Sequence, residues 1–219
     1  MAAVVARESG LLSSSTRAKG ILLIGPSGVG KTTLMDLVIS RHPDARGLVS
    51  TTSRPLRNGE SDSGEYEFLE LNEHNPQDAF ECLESMGEFV WTLRLVGYCY
   101  GTRKSVFTAA LNSHNQVFVA HVHVTALESK FIREGGYLES GQILPISILP
   151  PGQDVIRKRI LDSGYHSDEE VEARLARDLQ VSQEISEVRK KLIGRGVQFP
   201  EISNSGSLED LYYQFLNVL

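Results

Sequence analysis

An unbroken apolar run, Ile21-Leu-Leu-Ile24, passes directly into Gly25-Pro-Ser-Gly-Val-Gly30-Lys31-Thr32. Leu34, Leu37 and Val38 then follow at helical spacing, and Pro43 closes the segment. A strand with no polar position suits burial on both faces, as in parallel sheets. The glycines let the backbone curl so that successive N–H groups point inward at an anion, and the following helix adds its positive end. The stretch satisfies G-x-x-x-x-G-K-[ST] in full. A plain Gly-rich turn would need neither a lysine nor a hydroxyl there. Gly25, Pro26, Ser27, Gly28, Val29, Gly30, Lys31, Thr32 and Thr33 are therefore expected to hold the phosphates of ATP. Lys31 would bridge the β- and γ-phosphates, and the Thr32 hydroxyl would bind Mg²⁺.

The rest of the chain alternates. "QVFVAHVHV" (116–124), "QILPISIL" (142–149) and "VQFPEIS" (197–203) read as strands, with helices expected from about Thr125 and about Gln153. Residues 168–192 read as a long amphipathic helix, with Val171, Leu175, Leu179, Ile185, Val188 and Leu192 along one side. A closing helix would be capped by Ser207, with Asp210 at its third position. Alternating strand and helix predicts an α/β fold: a mainly parallel sheet, helices on both faces and right-handed crossovers. The 219 residues suffice for one domain of this kind. Residues 50–101 break the alternation and are read as an inserted subdomain. Residues 1–19, rich in Ala and Ser, are read as a flexible tail, with a weak organelle-targeting segment as the alternative.

A net charge of −6 argues against a general nucleic-acid binder. No apolar run approaches the roughly 20 residues that cross a bilayer. Two cysteines, Cys82 and Cys99, without metal-type spacing, point to a reducing compartment, hence the cytoplasm.

In "STTSRPLRNGESDSGEYEF", Arg54 and Arg57 stand three apart, preceded by Ser50, Thr51 and Thr52 and followed by Tyr66. Two guanidiniums at that spacing can clamp one phosphate through forked hydrogen bonds. The plain alternative is a pair of solvated loop arginines. Hydroxyls beside paired arginines favour a second phosphate site facing the first.

With these motifs in order, the chain from about Ile21 onward resembles the guanylate kinase family. "GPSGVGKTT" is similar to its phosphate loop, and "STTSRPLRNGESDSGEYEFL" to its acceptor-clamping segment. That likeness carries the acceptor phosphate to Ser50, Arg54, Arg57 and Tyr66. "GYCYGT" resembles the family's "GNYYGT", which implies a phosphate-contacting tyrosine at Tyr100 and a base-contacting hydroxyl at Thr102. "RKRILDSGYHSDEEVEARL" resembles the lid and the helix after it, carrying arginines to Arg159 and Arg174; the lid spans about 157–175. The resemblance implies a core that binds ATP with Mg²⁺, an insertion that binds a small phosphorylated acceptor, and a lid that closes over both. Phosphoryl transfer needs charge neutralisation and in-line positioning more than a nucleophilic side chain. Lys31, Arg54, Arg57, Arg159 and Arg174 would supply that charge.

Three positions depart from the pattern. Where the family carries a guanine-reading glutamate, this chain has Trp91, which offers one N–H donor and no acceptor. It either lines the acceptor site or packs in the insertion. Where the family has Asp-x-Asp at a strand end, His121 and His123 stand; on a strand they would share a face. Neutral imidazoles cannot replace carboxylates around hard Mg²⁺, and a zinc site lacks a third ligand. They either contact a different acceptor or are structural. Ser163 stands where the family's lid has another arginine.

The leading expectation is ATP-dependent phosphorylation of a nucleoside monophosphate, GMP first. A kinase for another phosphorylated acceptor, such as ribose 1,5-bisphosphate, is a second enzyme reading. A non-catalytic interaction module is the third, disfavoured by the intact Lys31 and Thr32. The sequence does not distinguish monomer from homodimer.

Overall fold

The apolar run is the central strand. In this computed structural model, which describes residues 12–56, 66–69, 75–95, 97–152, 155, 157–158 and 168–219, β1 (Gly20–Ile24) is buried along its whole length. The strand pairs in parallel with β7 (Val117–His121) on one side and β8 (Ile143–Leu149) on the other. A short β2 (Ala45–Gly47) extends the sheet beyond β7, and β9 (Glu201–Ser203) extends it beyond β8, every pairing parallel.

Alternate residues of β1 feed two cores. Ile21 and Leu23 meet Leu34, Met35 and Val38 of α2 (Lys31–Arg41), with Leu211, Tyr212 and Phe215 of α7 (Leu208–Asn217). Leu22 and Ile24 face the opposite core. There Phe107 of α4 (Lys104–Leu111), Ile132 of α5 (Lys130–Glu134) and Ile185 of α6 (Asp168–Ile193) converge. This is the expected mainly parallel sheet with helices on both faces. None of the described helices is long and apolar enough to cross a membrane.

Local chemistry sets the helix ends. Ser207 and Asp210 form the expected capping box on α7. His42, restricted by Pro43, is extended and ends α2. At that end Arg41 donates to both carboxylate oxygens of Glu209, at 2.8 and 2.5 Å, and lies over the Tyr212 ring. His42 Nε2 is hydrogen-bonded to the Tyr212 hydroxyl at 2.8 Å, in a buried position.

Strands β3 (Ser50–Thr52), β4 (Tyr66–Phe68), β5 (Phe89–Leu95) and β6 (Tyr98–Arg103) form a separate mixed sheet, in the order β4-β3-β6-β5. The helix α3 (Pro76–Ser85) covers one face of it, with Phe80 stacked on Phe89 at 4.4 Å between centroids. Gly101 permits that approach: a Cβ there would stand 2.8 Å from Phe89 and 3.1 Å from Phe80.

Three expectations are corrected. Residues 12–19 do not belong to a free tail. Leu12 is fully buried at the start of α1 (Leu12–Ser15), and the Asp44 carboxylate accepts the N–H groups of Leu12 and Ser13 at 2.9 and 2.7 Å. A helix of one turn leaves no periodicity to read. On α6, Leu179 is 52% exposed while Asp178 is buried at 6%. Neighbouring positions lie about 100° apart on a helix, and packing turned the adjacent residue inward. The last strand forms only at Glu201–Ser203, with Val197 and Phe199 entering the core from irregular chain. The helix expected from about Gln153 and most of the lid fall outside the described residues.

Burial works against the charge on Asp44, but the two N–H groups it accepts outweigh that and hold its carboxyl below the usual range. Such a group stabilises the fold above its unfolded-state value, about 3.9, and the stabilisation is lost as pH falls through the folded value. Asp44→Ala is expected to cost about 1 kcal/mol at neutral pH. Thermal unfolding of both proteins should show that gap closing below about pH 4.

Candidate active site

Where β1 ends, residues 25–30 turn sharply. Gly28 and Gly30 adopt positive φ of 69° and 95°, which a side chain would resist. Gly30 occupies the N-cap of α2 and has no side chain to cap with, so the first helical N–H groups face the loop's concavity. Val29 is buried beneath, while Ser27 and Gly28 are exposed. The loop is braced from afar: Asn204, just after β9, donates from Nδ2 to the Val29 carbonyl at 2.7 Å. Lys31 folds back, its Nζ donating to the Gly25 and Pro26 carbonyls at 2.7 Å each. Burial lowers its pKa to about 8, an effect the Asp178 carboxylate partly offsets. Asp178 Oδ1 accepts the Ser27 N–H at 3.1 Å.

Thr32 and Thr33 are exposed at the first turn of α2. A single protein hydroxyl suits Mg²⁺, which keeps most of its waters and takes its other ligands from phosphates. Among the described residues no group of three or more His, Cys, Asp or Glu is placed to hold a metal ion. The residues present thus fit Mg²⁺ carried with a nucleotide, and not a protein-caged ion.

The second site lies on the mixed sheet. Register puts Ser50 beside Tyr66, and Thr52 opposite Tyr100 and beside Phe68. It also puts Trp91 opposite Thr102 and Leu93 opposite Tyr100. Directly opposed residues share a face. Ser50, Tyr66, Tyr100, Thr102 and Trp91 therefore occupy one face, and α3 covers the other. The Ser50 and Thr102 hydroxyls are 3.3 Å apart, and Tyr66 meets Tyr100 edge-on. Arg54 is buried at this edge, its guanidinium 5.4 Å from the Tyr66 ring and 5.2 Å from the Phe68 ring, donating to the Pro55 carbonyl. Charged pairs gather on the α3 face: Glu67 with Thr51 and Arg103, and Glu84 of α3 itself with Thr92 and Arg94.

Arg57, Arg159 and Ser163 lie outside the described residues, as does the Arg174 side chain. Trp91 is half-buried and packs edge-on against Phe107 at 5.6 Å. The strand expected to carry both histidines ends at His121. His123 instead caps the following 3₁₀ turn (Val124–Glu128), accepting from the Thr125 N–H. Its Nε2 is 3.8 Å from Glu184. Burial lowers its pKa; Glu184 opposes the shift, and Arg177 and Lys31 add to it. The histidine therefore sits in the field of the loop lysine. Asn204, Asp178, Arg177 and Glu184 were not singled out from sequence. The contacts of Asn204 and Asp178 with the loop span 175 and 151 residues, and no local pattern announces them.

Comparison with known proteins places these features. The family model described as guanylate kinase matches residues 17–193. The guanylate kinase of Trichormus variabilis is 35% identical over 159 residues, 73% of each chain, and that of Nostoc sp. matches to the same extent. The structure of guanylate kinase from Anaplasma phagocytophilum superposes with a TM-score of 0.59. It is 17% identical, and the match covers 90% of this chain and 82% of that one, a likeness of fold.

The two loop glycines differ in surroundings. A Cβ on Gly30 would stand 2.7 Å from Asn204 Nδ2, whereas nothing lies within 4 Å of one on Gly28. Gly28→Ala should cost the backbone strain alone, about 1 kcal/mol. Gly30→Ala should cost clearly more and also detach Asn204, as urea unfolding of the two variants would show.

Proposed function

Starting from the chain's membership of the guanylate kinase family, which makes it a kinase, we propose that it transfers the γ-phosphoryl group of Mg·ATP to GMP, yielding ADP and GDP. The observation that carries the acceptor is the mixed sheet. One face of it gathers Ser50, Tyr66, Tyr100 and Thr102 beside the buried Arg54, and the charged pairs occupy the other.

In this reading the residues work by charge and position. Lys31 releases the Gly25 and Pro26 carbonyls and turns to the β- and γ-phosphates, while the loop N–H groups and the start of α2 hold them. The Thr32 hydroxyl would hold Mg²⁺, which would supply charge neutralisation at the phosphates. Arg54, together with Arg57, fixes the acceptor phosphate so that its oxygen attacks the γ-phosphorus in line. Tyr66 and Tyr100 donate hydroxyls to the same phosphate. Arg159 and Arg174 contribute positive charge that offsets the negative charge building on the leaving ADP. The Ser50 hydroxyl joins the two tyrosines at the acceptor phosphate, and the Thr102 hydroxyl, 3.3 Å from that of Ser50, is left to meet the base.

One observation favours a second reading of specificity. Trp91 rests on Phe107 and offers no acceptor to the guanine N–H groups. Among the described residues, no carboxylate shares the face of Ser50 and Thr102. Discrimination between guanine and other bases should therefore be weaker than paired carboxylate hydrogen bonds provide.

A coupled ADP-release assay tests both readings, with GMP, dGMP, AMP, CMP, UMP and ribose 1,5-bisphosphate as acceptors. Turnover of GMP is expected, falling by roughly a hundredfold or more in Lys31→Ala and in Arg54→Ala. Turnover of another acceptor with none of GMP would refute the GMP assignment.

A further inference from the structure

Helix α6 buries one stripe. Among its described side chains Asp178, Ile185 and Leu192 are the buried ones, with Val181 and Val188 half-buried between them. The spacing of three and four is that of a hydrophobic seam. The first of these positions holds a carboxylate. A buried charge is costly unless something compensates it, and here part of the compensation comes from the phosphate loop. Asp178 Oδ1 accepts the Ser27 N–H at 3.1 Å, and its charge acts on the Lys31 ammonium. Asp178 lies one residue from Arg177, and both act on groups around the loop: Asp178 on Lys31, Arg177 on His123.

The loop thus already has an anion. Ser27 N–H is bonded to a side chain of the same protein, and Lys31 is turned to two carbonyls of the loop itself. The phosphates of a nucleotide bring several negative charges to this place. A carboxylate and a terminal phosphate cannot share it without strong repulsion in a partly buried setting. Neutral asparagine would keep an acceptor for the Ser27 N–H and remove the conflict.

We propose that Asp178 is an internal anion that holds the empty phosphate loop in its receiving shape and competes with the terminal phosphate of the nucleotide. It is a positioning residue that sets the affinity for nucleotide phosphates, not the rate of transfer. The proposal rests on the reading of residues 25–33 as the ATP site. Because Asp178 is rooted in α6, phosphate arrival and displacement of the carboxylate are one event for this helix, which also carries Arg174.

Calorimetric titration of the full chain with Mg·ATP, and separately with inorganic triphosphate and Mg²⁺, tests it. Asp178→Asn is expected to bind both about tenfold more tightly, equivalent to about 1.4 kcal/mol. The KM for ATP should fall in parallel while kcat stays the same. A structural tie alone would predict the opposite, a looser loop and weaker binding. Unchanged or weaker triphosphate binding by folded Asp178→Asn overturns the proposal. Should that variant not fold, Asp178→Gln, which is also neutral and also carries an amide acceptor for the Ser27 N–H, is read by the same criterion. Wild-type protein that binds triphosphate no better than Lys31→Ala would overturn the ATP-site reading itself. Wild-type binding that depends on Lys31 but is indifferent to Asp178 would overturn only the role of Asp178.

Discussion

Burial of a single strand on both faces and along both edges governs this molecule. β1 is hydrogen-bonded to parallel neighbours on either side and packed above and below, so its carboxyl end has one fixed place. Parallel register brings neighbouring strand ends level: Leu23 pairs with His121 of β7 and with Ile146 of β8. Functional groups of an open parallel sheet collect on that rim. The phosphate loop grows from it, His121 and His123 stand beside the loop, and Asn204 reaches it from the far edge strand.

The mixed sheet is organised differently. The acceptor site proposed for it needs hydroxyls and a guanidinium uncompromised by neighbouring carboxylates. Here Glu67 pairs with Arg103 on the α3 face, and Glu84 of α3 pairs with Arg94 there, in exposed or half-exposed pairs worth little to stability. Their effect is on placement. The side-chain period of two sends every alternate residue to the hydroxyl-bearing face. Gly101, in the "YGT" motif, is accounted for by the packing of Phe80 and Phe89 on the opposite face.

Much of this was legible in the residues, for identifiable reasons. The loop from Gly25 to Thr32 announces itself because its chemistry is contiguous. Ser50, Tyr66, Tyr100 and Thr102 were legible through a resemblance spread over short motifs, and strand register explains how they meet. Contacts closed only by tertiary structure were not legible. Leu179 and Asp178 are adjacent, and either satisfies a helical period; the choice between them belongs to the loop 151 residues away. His123 looked like a strand residue because the apolar run continues past it, but the ladder stops at His121 and its ring finds Thr125 instead. Leu12 lies in a segment whose composition reads as solvated, and what orders it is Asp44, far along the chain.

The anchoring of α2 has a mechanical consequence. One end of this helix cradles the loop, and the other is bolted to α7 through Arg41, Glu209, His42 and the Tyr212 ring. Its middle is wedged against β1 by Leu34, Met35 and Val38. Such a helix behaves as a strut: pushed at the loop end, it passes the load into the C-terminal helix without sliding. Movement at the loop therefore falls to whatever touches it from outside this frame, and among the described residues α6 reaches it through the Asp178 carboxylate.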